Sequence, residues 1–279
     1  MSKREDAIED SPSGLKPAGA RERQNWIRDI VHADGSTTVD HLVNALGVSK
    51  MTVHRDLDVL ESSGVLRKVR GGATARRSSL FESDLPFRLN TAQQAKEAIG
   101  REAARFVEPG QAIMCDESTT ALAALRHLDP REAFTVITNC AMTTSYVTEQ
   151  TGFRLIGLGG DYVARYQAFL GILCEQMIAG IYSDVLFASC SAIQGAHTFH
   201  QDPQIVGVKR AMLRSAPVRV LLVDSSKMDT GAIYRLGLIR EFTHVVTDEG
   251  APASSIDLMR EEGVEVVVAP IVAPKSQAE

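Results

Sequence analysis

The amino-acid sequence predicts an α/β protein with an N-terminal winged helix-turn-helix followed by a larger, Rossmann-like α/β domain. Two short helical patterns meet at Gly47 and lead into a small basic hairpin. From about residue 91 onward, near-continuous apolar strands alternate with helical stretches, which is typical of a mostly parallel sheet covered on both faces. A length of 279 residues and an apolar fraction of 44% suit two domains with a substantial core.

The first helical pattern begins after Thr38, a residue type that commonly caps a helix N-terminus. Apolar residues then recur at helical spacing and predict one buried face. They are Val39, Leu42, Val43 and Leu46. Gly47 can take the left-handed conformation of a tight turn, and Ser49 can cap a second helix. The inward face of that helix should hold Val53, Leu57 and Leu60. We predict a helix-turn-helix over residues 38–57 within a domain spanning residues 21–75.

A basic hairpin is expected after the second helix, as a wing over residues 65–74, once Gly64 has ended that helix. Between Lys50 and Arg77 the sequence has seven Lys or Arg against three Asp or Glu, whereas the whole chain has a net charge of −5. A basic patch on an acidic chain is typical of a nucleic-acid reader, so the expected partner is double-stranded operator DNA. The alternative is a three-helix scaffold whose cations only solvate a surface.

The second helix of a helix-turn-helix enters the major groove, whereas a wing lays cations along the phosphate backbone. The candidate DNA-binding residues are therefore the outward positions of the second helix and the cations of the wing. They are Ser49, Lys50, Thr52, His54, Arg55, Arg67, Lys68 and Arg70. We assign the wing mainly to affinity, because phosphate contacts position a protein and base contacts specify sequence.

The run from Ser49 to Leu57, followed by Leu60-Glu61, Gly64 and residues 70–73, closely resembles the helix-turn-helix and wing of the DeoR family of bacterial transcriptional regulators. That family usually has a basic pair, commonly Arg-Arg, before the Asp-Leu, and this chain has His54-Arg55. Histidine can donate or accept a hydrogen bond, and its charge varies near neutral pH. The resemblance thus implies operator binding, with His54 as a position that could change which bases are read.

The rest of the composition argues against several kinds of site. No apolar run is long enough for a bilayer and the N-terminus lacks the apolar core of a signal peptide, so we expect a cytoplasmic protein with no membrane partner. Four widely spaced cysteines, without a Cys-x-x-Cys pair, favour buried thiols. Residues 197–200, with Asp202, are expected to form a loop with solvated histidines, so we expect neither metal nor cofactor. We predict a mobile tail over residues 1–20, a linker over 76–90 and a second tail over 271–279.

The larger domain, predicted over residues 91–270, contains seven β-rich runs separated by stretches that suit helices. The runs are 112–115, 134–138, 153–157, 185–188, 218–223, 244–247 and 264–268. The helical stretches include 92–107 and 205–215. Open α/β sheets bind ligands at the carboxyl ends of their strands. The residues just after each run are therefore the candidate ligand contacts.

Polar residues do follow several of these runs. Residues 116–120, Asp-Glu-Ser-Thr-Thr, lead into an Ala/Leu-rich helix whose N-terminal amides and hydroxyls suit an anion, phosphate above all. Asn139, Gly159-Gly160 and residues 224–227 follow other runs. The alternatives are that Ser118 or Thr119 only caps the helix, and that the glycines and Lys227 are ordinary turn residues.

The same series resembles the sensor domain of DeoR-type regulators, which is similar to ribose-phosphate isomerases and typically responds to a phosphorylated sugar. The resemblance covers residues 116–120, 138–140, 158–160, 209–212 and 224–227, among others. It implies a set of effector-binding residues: Asp116, Ser118, Thr119, Thr120, Asn139, Gly159, Gly160, Lys209, Asp224 and Lys227.

Two departures from the family pattern concern the ligand. The family often has Asp-x-Gly-Ser/Thr-Thr, and here Ser118 stands at the glycine with Glu117 beside it. A carboxylate there would repel a phosphate unless it points away. A carboxylate also commonly precedes the lysine that matches Lys209 by four or five residues, where this chain has Gln204 and Ile205.

We therefore expect a homo-oligomeric repressor of a carbohydrate-metabolism operon, modulated by a phosphorylated sugar, that places two or more recognition helices on repeated half-sites. The alternatives are an activator, a regulator that responds to another class of metabolite, or a phosphosugar isomerase. An isomerase could use Asp184, Lys209 and Asp224 for proton transfer. We expect no enzyme, because the missing carboxylate near Lys209 removes a candidate general base.

Overall fold

The computed structural model describes residues 19–62, 65–74 and 85–272. The chain divides into two compact units, Met1–Arg77 and Ser78–Glu279. Among the described residues, no helix is both long enough and apolar enough to cross a membrane.

The described part of the first unit has three helices and three short strands. The elements are α1 (Ala20–Asp34), β1 (Ser36–Thr38), α2 (Val39–Leu46), α3 (Lys50–Ser62), β2 (Arg67–Val69) and β3 (Gly72–Thr74). The predicted helix-turn-helix is confirmed in its details. The Oγ1 of Thr38 accepts a hydrogen bond from the amide of His41 at 3.1 Å, and Gly47 has a φ of 67°. The Oγ of Ser49 accepts one from the amide of Thr52 at 3.2 Å.

The core of this unit is formed by the three helices and the wing. Ile27 and Val31 of α1 pack against the inward faces of α2 and α3, together with Leu66 and Ala73 of the wing. Helix α1 and strand β1 complete the domain, although the sequence analysis identified neither. Strand β1 pairs with β3, giving the order β1-β3-β2. A Cβ on Gly72 would lie 2.0 Å from the carbonyl oxygen of Thr37, so this pairing requires a glycine.

The wing forms where the sequence predicts it. Strands β2 and β3 are antiparallel and joined by a turn at Arg70 and Gly71, whose φ is 81°. Gly64, predicted to end α3, lies outside the described residues, and α3 is described as far as Ser62.

The second unit is built on a seven-stranded parallel sheet, ordered β15-β14-β12-β9-β4-β5-β6. Its strands are β4 (Ala112–Cys115), β5 (Phe134–Thr138), β6 (Phe153–Gly157), β9 (Val185–Ala188), β12 (Val218–Leu222), β14 (His244–Asp248) and β15 (Glu265–Ala269). All seven were predicted, and no boundary differs by more than one residue. The α/β fold class is therefore confirmed.

Helices cover both faces of this sheet. They are α4 (Leu85–Asn90), α5 (Gln93–Ala103), α6 (Thr119–Arg126), α7 (Ala141–Thr148), α8 (Ile172–Ala179), α9 (Pro203–Leu213) and α10 (Ala253–Glu261). Successive strand residues alternate between the two layers: Ile113 packs with α5 and α6, whereas Met114 packs with α8 and α9. The four cysteines are unpaired and buried, as predicted. Helix α4 lies within residues 76–90, which the sequence analysis assigned to a linker.

Two small antiparallel sheets complete the unit. One pairs β7 (Asp161–Val163) with β8 (Ala168–Leu170). The other has the order β10-β11-β13 and consists of β10 (Ala192–Gln194), β11 (His197–His200) and β13 (Tyr234–Leu238). The prediction of a loop with solvated histidines at residues 197–200 was wrong. These residues form the central strand of that sheet, and His200 is 7% exposed.

Candidate DNA-binding surface and effector pocket

The predicted recognition helix presents the expected residues on its outer face. Lys50, His54 and Arg55 of α3 are exposed, and Thr52 is half-buried with its Oγ1 2.9 Å from the Oγ of Ser49. The opposite face packs into the core through the three apolar residues that the sequence predicted. Contact of this outer face with DNA stays a prediction.

Two of the candidate lysines have carboxylate partners within the unit. The Nζ of Lys50 lies 2.7 Å from Asp40, and both side chains are about 70% exposed, at 67% and 73%. Lys68 of the wing forms an ion pair with Asp58 of α3, and its amide donates to Glu61 at 2.8 Å. Exposed ion pairs contribute only about 0–1 kcal/mol. DNA phosphates can therefore compete for the Lys50 ammonium at small cost.

Arg67 and Arg70 of the wing are exposed. Two guanidinium groups are thus presented by a hairpin that the Lys68 contacts fix to α3.

A buried carboxylate holds α3 against α1. Asp56 is 2% exposed and accepts hydrogen bonds from the Nε and Nη2 of Arg23 at 2.5 and 3.1 Å, and from the Nε2 of Gln24 at 3.0 Å. The hydrogen bond to Asp56 raises the pKa of Arg23 against the opposing effect of burial. This clamp was not predicted from the sequence, although an aspartate among the inward-facing apolar positions of α3 was the available signal.

In the second unit, a pocket lies where several strands of the parallel sheet end, and we call it the strand-end pocket. It draws residues from the carboxyl ends of β4, β9 and β12, from helices α4, α5, α6 and α9, from the turn between β7 and β8, and from β11. Its lining consists of Phe87, Arg88, Thr91, Lys96, Glu117, Ser118, Thr119, Thr120, Tyr166, Ser189, Cys190, Ser191, His200, Lys209, Asp224 and Lys227. Six of these residues belong to the predicted effector-binding set: Ser118, Thr119, Thr120, Lys209, Asp224 and Lys227.

A buried cluster of charges lies at the base of the pocket. Lys209 of α9 is 2% exposed, forms an ion pair with Asp116, and places its Nζ 2.9 Å from an oxygen of Glu117. Asp116 also accepts hydrogen bonds from the amides of Ser118 at 2.9 Å and Ser189 at 2.7 Å. Burial opposes the charge on Lys209, but the two carboxylates outweigh that effect and raise the pKa of its ammonium. Lys209 is therefore held as a cation between two anions.

Glu117 lines the pocket. An unpaired carboxylate in this position would repel a phosphate. The ion pair of Glu117 with Lys209 instead offsets the charge. Gln204 and Ile205 leave α9 without a carboxylate near Lys209, and Asp116 and Glu117 of the β4 end provide two.

Ser118 has the capping role that the sequence left open. Its Oγ accepts a hydrogen bond from the amide of Ala121 at 3.0 Å at the start of α6. Thr119 and Thr120 follow it as buried residues that line the pocket.

Asn139, Gly159 and Gly160, three of the predicted effector-binding residues, are not among the residues that line the strand-end pocket. The Nδ2 of Asn139 donates to the carbonyl of Phe169 at 3.0 Å, so its amide fastens the β5 end to β8. A Cβ on Gly160 would lie 2.4 Å from the carbonyl oxygen of Leu170, and its φ is 143°. Packing between β7 and β8 accounts for this glycine.

Three basic side chains of the lining, those of Arg88, Lys96 and His200, were not identified as site residues from sequence. Arg88 of α4 lies in the segment assigned to the linker, and Lys96 lies on a predicted helix with no motif around it. His200 was assigned to a solvated loop. Burial, followed by the charges of Lys209 and Arg88, lowers the pKa of His200 well below its usual value, so its imidazole is neutral at pH 7. Among the described residues, no group of three or more His, Cys, Asp or Glu could hold a metal ion.

Asp184 is separated from this pocket by the length of the sheet. It directly precedes β9 and accepts a hydrogen bond from the amide of Ala112 at 2.7 Å, where β4 begins. Lys209 and Asp224 lie at the opposite end of the strands, in the pocket at their carboxyl ends. The three residues proposed for an isomerase mechanism therefore do not form one site.

Comparison with known proteins gives two family matches in succession. Residues 23–79 match the DeoR-like helix-turn-helix domain, and residues 91–249 match the DeoR C terminal sensor domain. The HTH-type transcriptional regulator YgbI of Escherichia coli K12 is 30% identical over 250 residues, which cover 89% of this chain and 97% of that protein.

Two further relatives act in opposite directions on transcription, according to their names. The HTH-type transcriptional repressor GlcR of Bacillus subtilis is 27% identical, covering 88% of this chain and 95% of its own. The L-fucose operon activator of Escherichia coli K12 is 29% identical, covering 84% of this chain and 97% of its own.

Among solved structures, the ribose 5-phosphate isomerase A of Methanocaldococcus jannaschii has a TM-score of 0.35 at 17% identity, covering 48% of this chain and 53% of that one. A likeness this slight supports no inference. The two family matches together span the helix-turn-helix and most of the parallel sheet, and the relatives align along nearly their whole length. The chain is a member of the DeoR family of transcriptional regulators.

Proposed function

We propose that this regulator represses a carbohydrate-metabolism operon and that a phosphorylated sugar in the strand-end pocket modulates its binding to operator DNA. The cationic lining of a pocket at the strand ends of the sensor domain carries the proposal. Arg88, Lys96 and Lys227 line the pocket beside the N-terminus of α6, where amide groups also favour an anion. A relative named as a transcriptional repressor supports the repressing role, and a relative named for the L-fucose operon supports the link to carbohydrate metabolism.

The release step is a shift between two populations. A ligand changes operator affinity only if it binds the DNA-competent and the released forms with different affinity. A homo-oligomer would place two or more copies of α3 on repeated half-sites, which makes the response steep and the operator symmetric.

The test combines thermal unfolding with operator binding. A panel of sugar phosphates, each beside its unphosphorylated sugar, is added to the full chain and the melting temperature is measured. A ligand at 100 times its Kd stabilises the native state by about 2.7 kcal/mol. The same compound should change operator affinity in a gel-shift assay. If no phosphorylated sugar alters either measurement, the proposal is wrong.

The DNA-binding surface has its own test. Arg55→Ala should weaken binding to the operator more than binding to random DNA, because α3 is assigned to the major groove. Arg67→Ala should weaken both about equally and reduce the salt dependence by about one phosphate contact. Operator affinity unchanged in the Arg55 variant would contradict the placement of α3 in the groove.

An activator is the second candidate, because the L-fucose operon activator matches nearly the whole chain. A promoter fused to a reporter, with and without the gene for this chain, separates the two. Higher expression in the absence of the chain supports repression, and lower expression supports activation.

A further inference from the structure

We infer that the strand-end pocket takes a hydroxylated anion, with the anionic group held by Arg88 and a ligand hydroxyl donating to Glu117. This assignment of residues rests on the proposed sensor function of the pocket. The anion is thus bound by Arg88 of α4, a helix that lies within the predicted linker, and not by Lys209.

Arg88 is set up to receive an anion. Its Nη1 donates to the carbonyl of Glu117 at 3.1 Å, which fixes the plane of the guanidinium group. Its Nε and Nη2 are buried and make no hydrogen bond within the described residues. Buried donors of a charged group are nearly always satisfied, since leaving them unpaired is costly. A planar group with two open donors matches the oxygens of a phosphate or a carboxylate.

Glu117 offers the complementary group. One carboxylate oxygen lies 2.9 Å from the Nζ of Lys209, and the other, Oε2, is buried without a hydrogen-bond partner among the described residues. An ionised carboxylate only accepts hydrogen bonds. The pocket therefore presents open donors on Arg88 and an open acceptor on Glu117. A ligand that satisfies both needs an anionic group and a hydroxyl.

The charges around the pocket indicate that Lys209 has a structural role and that Arg88 binds the ligand. The charge of Lys209 is offset by Asp116 and Glu117, so it offers a ligand little attraction. Lys96 donates to the carbonyl of Arg88, which fixes α4 onto α5. The pocket and its base hold four cationic side chains (Arg88, Lys96, Lys209 and Lys227) against three carboxylates (Asp116, Glu117 and Asp224). One cation in excess favours an anionic ligand.

Matched pairs of small probes test both halves of the inference on the full chain. Glycerol 3-phosphate and n-propyl phosphate differ in their hydroxyls, and glycerate and propionate repeat the comparison with a carboxylate. Inorganic phosphate tests the anion alone. At constant ionic strength, inorganic phosphate at about 20 times its Kd should raise the melting temperature of the sensor domain by about 4 °C. Glycerol 3-phosphate should bind about tenfold more tightly than n-propyl phosphate.

The variants separate Arg88 from a general effect of charge. Arg88→Gln should abolish the phosphate shift, whereas Arg154→Gln, which removes an exposed arginine of β6, should leave it unchanged. Glu117→Gln should keep the phosphate shift and remove the preference for glycerol 3-phosphate over n-propyl phosphate. A larger response to the phosphates than to the carboxylates identifies a phosphate ester as the anion, and the reverse identifies a sugar acid.

The outcomes distinguish this inference from the proposed function. An equal phosphate shift in Arg88→Gln and wild type, or no shift in either, overturns the assignment of the anion to Arg88. Equal affinity for glycerol 3-phosphate and n-propyl phosphate overturns the role of Glu117. If the phosphate shift depends on Arg88 but no phosphorylated sugar affects operator binding, the assignment stands and the proposed sugar-phosphate response fails.

Discussion

Replacing Lys209 with methionine should destabilise the sensor domain far more than it affects the DNA-binding domain. The change keeps an unbranched side chain that is one atom shorter and removes the ammonium that pairs with Asp116 and Glu117. The two carboxylates then remain buried without their cation. The pKa of Lys209 is raised in the folded protein. The stabilisation that its charge contributes is thus fully present below about pH 10.4 and is lost as the pH rises through the pKa of the folded state. At pH 7 the wild type therefore has all of this stabilisation, and Lys209→Met has none of it.

The expected loss follows from the partners that remain. Breaking a buried ion pair by removing one partner costs about 3–5 kcal/mol. Asp116 keeps two backbone donors, at 2.9 and 2.7 Å, which places the loss near the lower limit. About 3 kcal/mol corresponds to a decrease of roughly 7 °C in the melting temperature of a unit of this size. Lowering the pH should reduce the difference from wild type, because protonation removes the charge that has lost its partner.

The single tryptophan makes the assay specific to each domain. Trp26 lies on α1 of the first unit, so its fluorescence follows that unit while circular dichroism follows both. Lys209→Met should lower the transition seen by circular dichroism and leave the Trp26 transition unchanged. Arg214→Met, at an exposed residue directly after α9, is the control and should change stability by less than about 0.5 kcal/mol. A loss below about 1 kcal/mol in Lys209→Met would refute the reasoning.

Three further predictions concern other parts of the molecule. Asp56→Ala should lower the free energy of unfolding of the first unit, followed by Trp26 fluorescence, by about 1–3 kcal/mol, because Arg23 and Gln24 lose their buried acceptor. An unchanged midpoint of the Trp26 transition would contradict this. Burial lowers the pKa of Lys96 to about 8, so the affinity of the protein for sulfate, measured by calorimetry, should fall as the pH rises through 8. Lys96→Met should abolish that pH dependence, and a wild-type affinity that does not change with pH would contradict the prediction. Gly160→Ala should destabilise the sensor domain by about 1–3 kcal/mol, since its Cβ would lie 2.4 Å from the Leu170 carbonyl oxygen. In the control variant Gly157→Ala the new Cβ would have no atom within 4 Å, and equal melting temperatures of the two variants would refute the packing argument.

The parallel sheet could be predicted from sequence because its strands are buried on both faces. Runs such as residues 185–188 and 218–222 are apolar at nearly every position, a pattern that solvent exposure on one face would interrupt. The helix-turn-helix was equally clear, since Thr38, Gly47 and Ser49 each mark a boundary by their own chemistry.

Strand β11 was missed for a physical reason. Its buried side chains are the polar ones, Thr198 and His200, while His197 and Phe199 are half-buried. The usual alternation of apolar inside and polar outside is therefore reversed. Hydropathy cannot identify such a strand, because its burial depends on which neighbours cover it.

The candidate site was predicted where local sequence determines geometry and missed where distant segments meet. The Ser-Thr-Thr run after β4 lines the pocket, because strand, turn and helix follow one another along the chain. Arg88 reaches the same pocket through α4, and only the fold brings it to the carbonyl of Glu117. Asn139 was placed correctly at a strand end, but its amide turns toward β8, and the sequence does not fix that orientation.

The Arg23–Asp56 clamp has a consequence for genetics. It ties the orientation of the recognition helix to α1, through a residue that lies on the inner face of α3. A screen for mutants that fail to silence or activate their target should therefore return substitutions at Arg23 as well as at the outer face of α3. Those mutants would share a phenotype but differ in kind, since second-site changes that improve helix packing could rescue the first group and not the second.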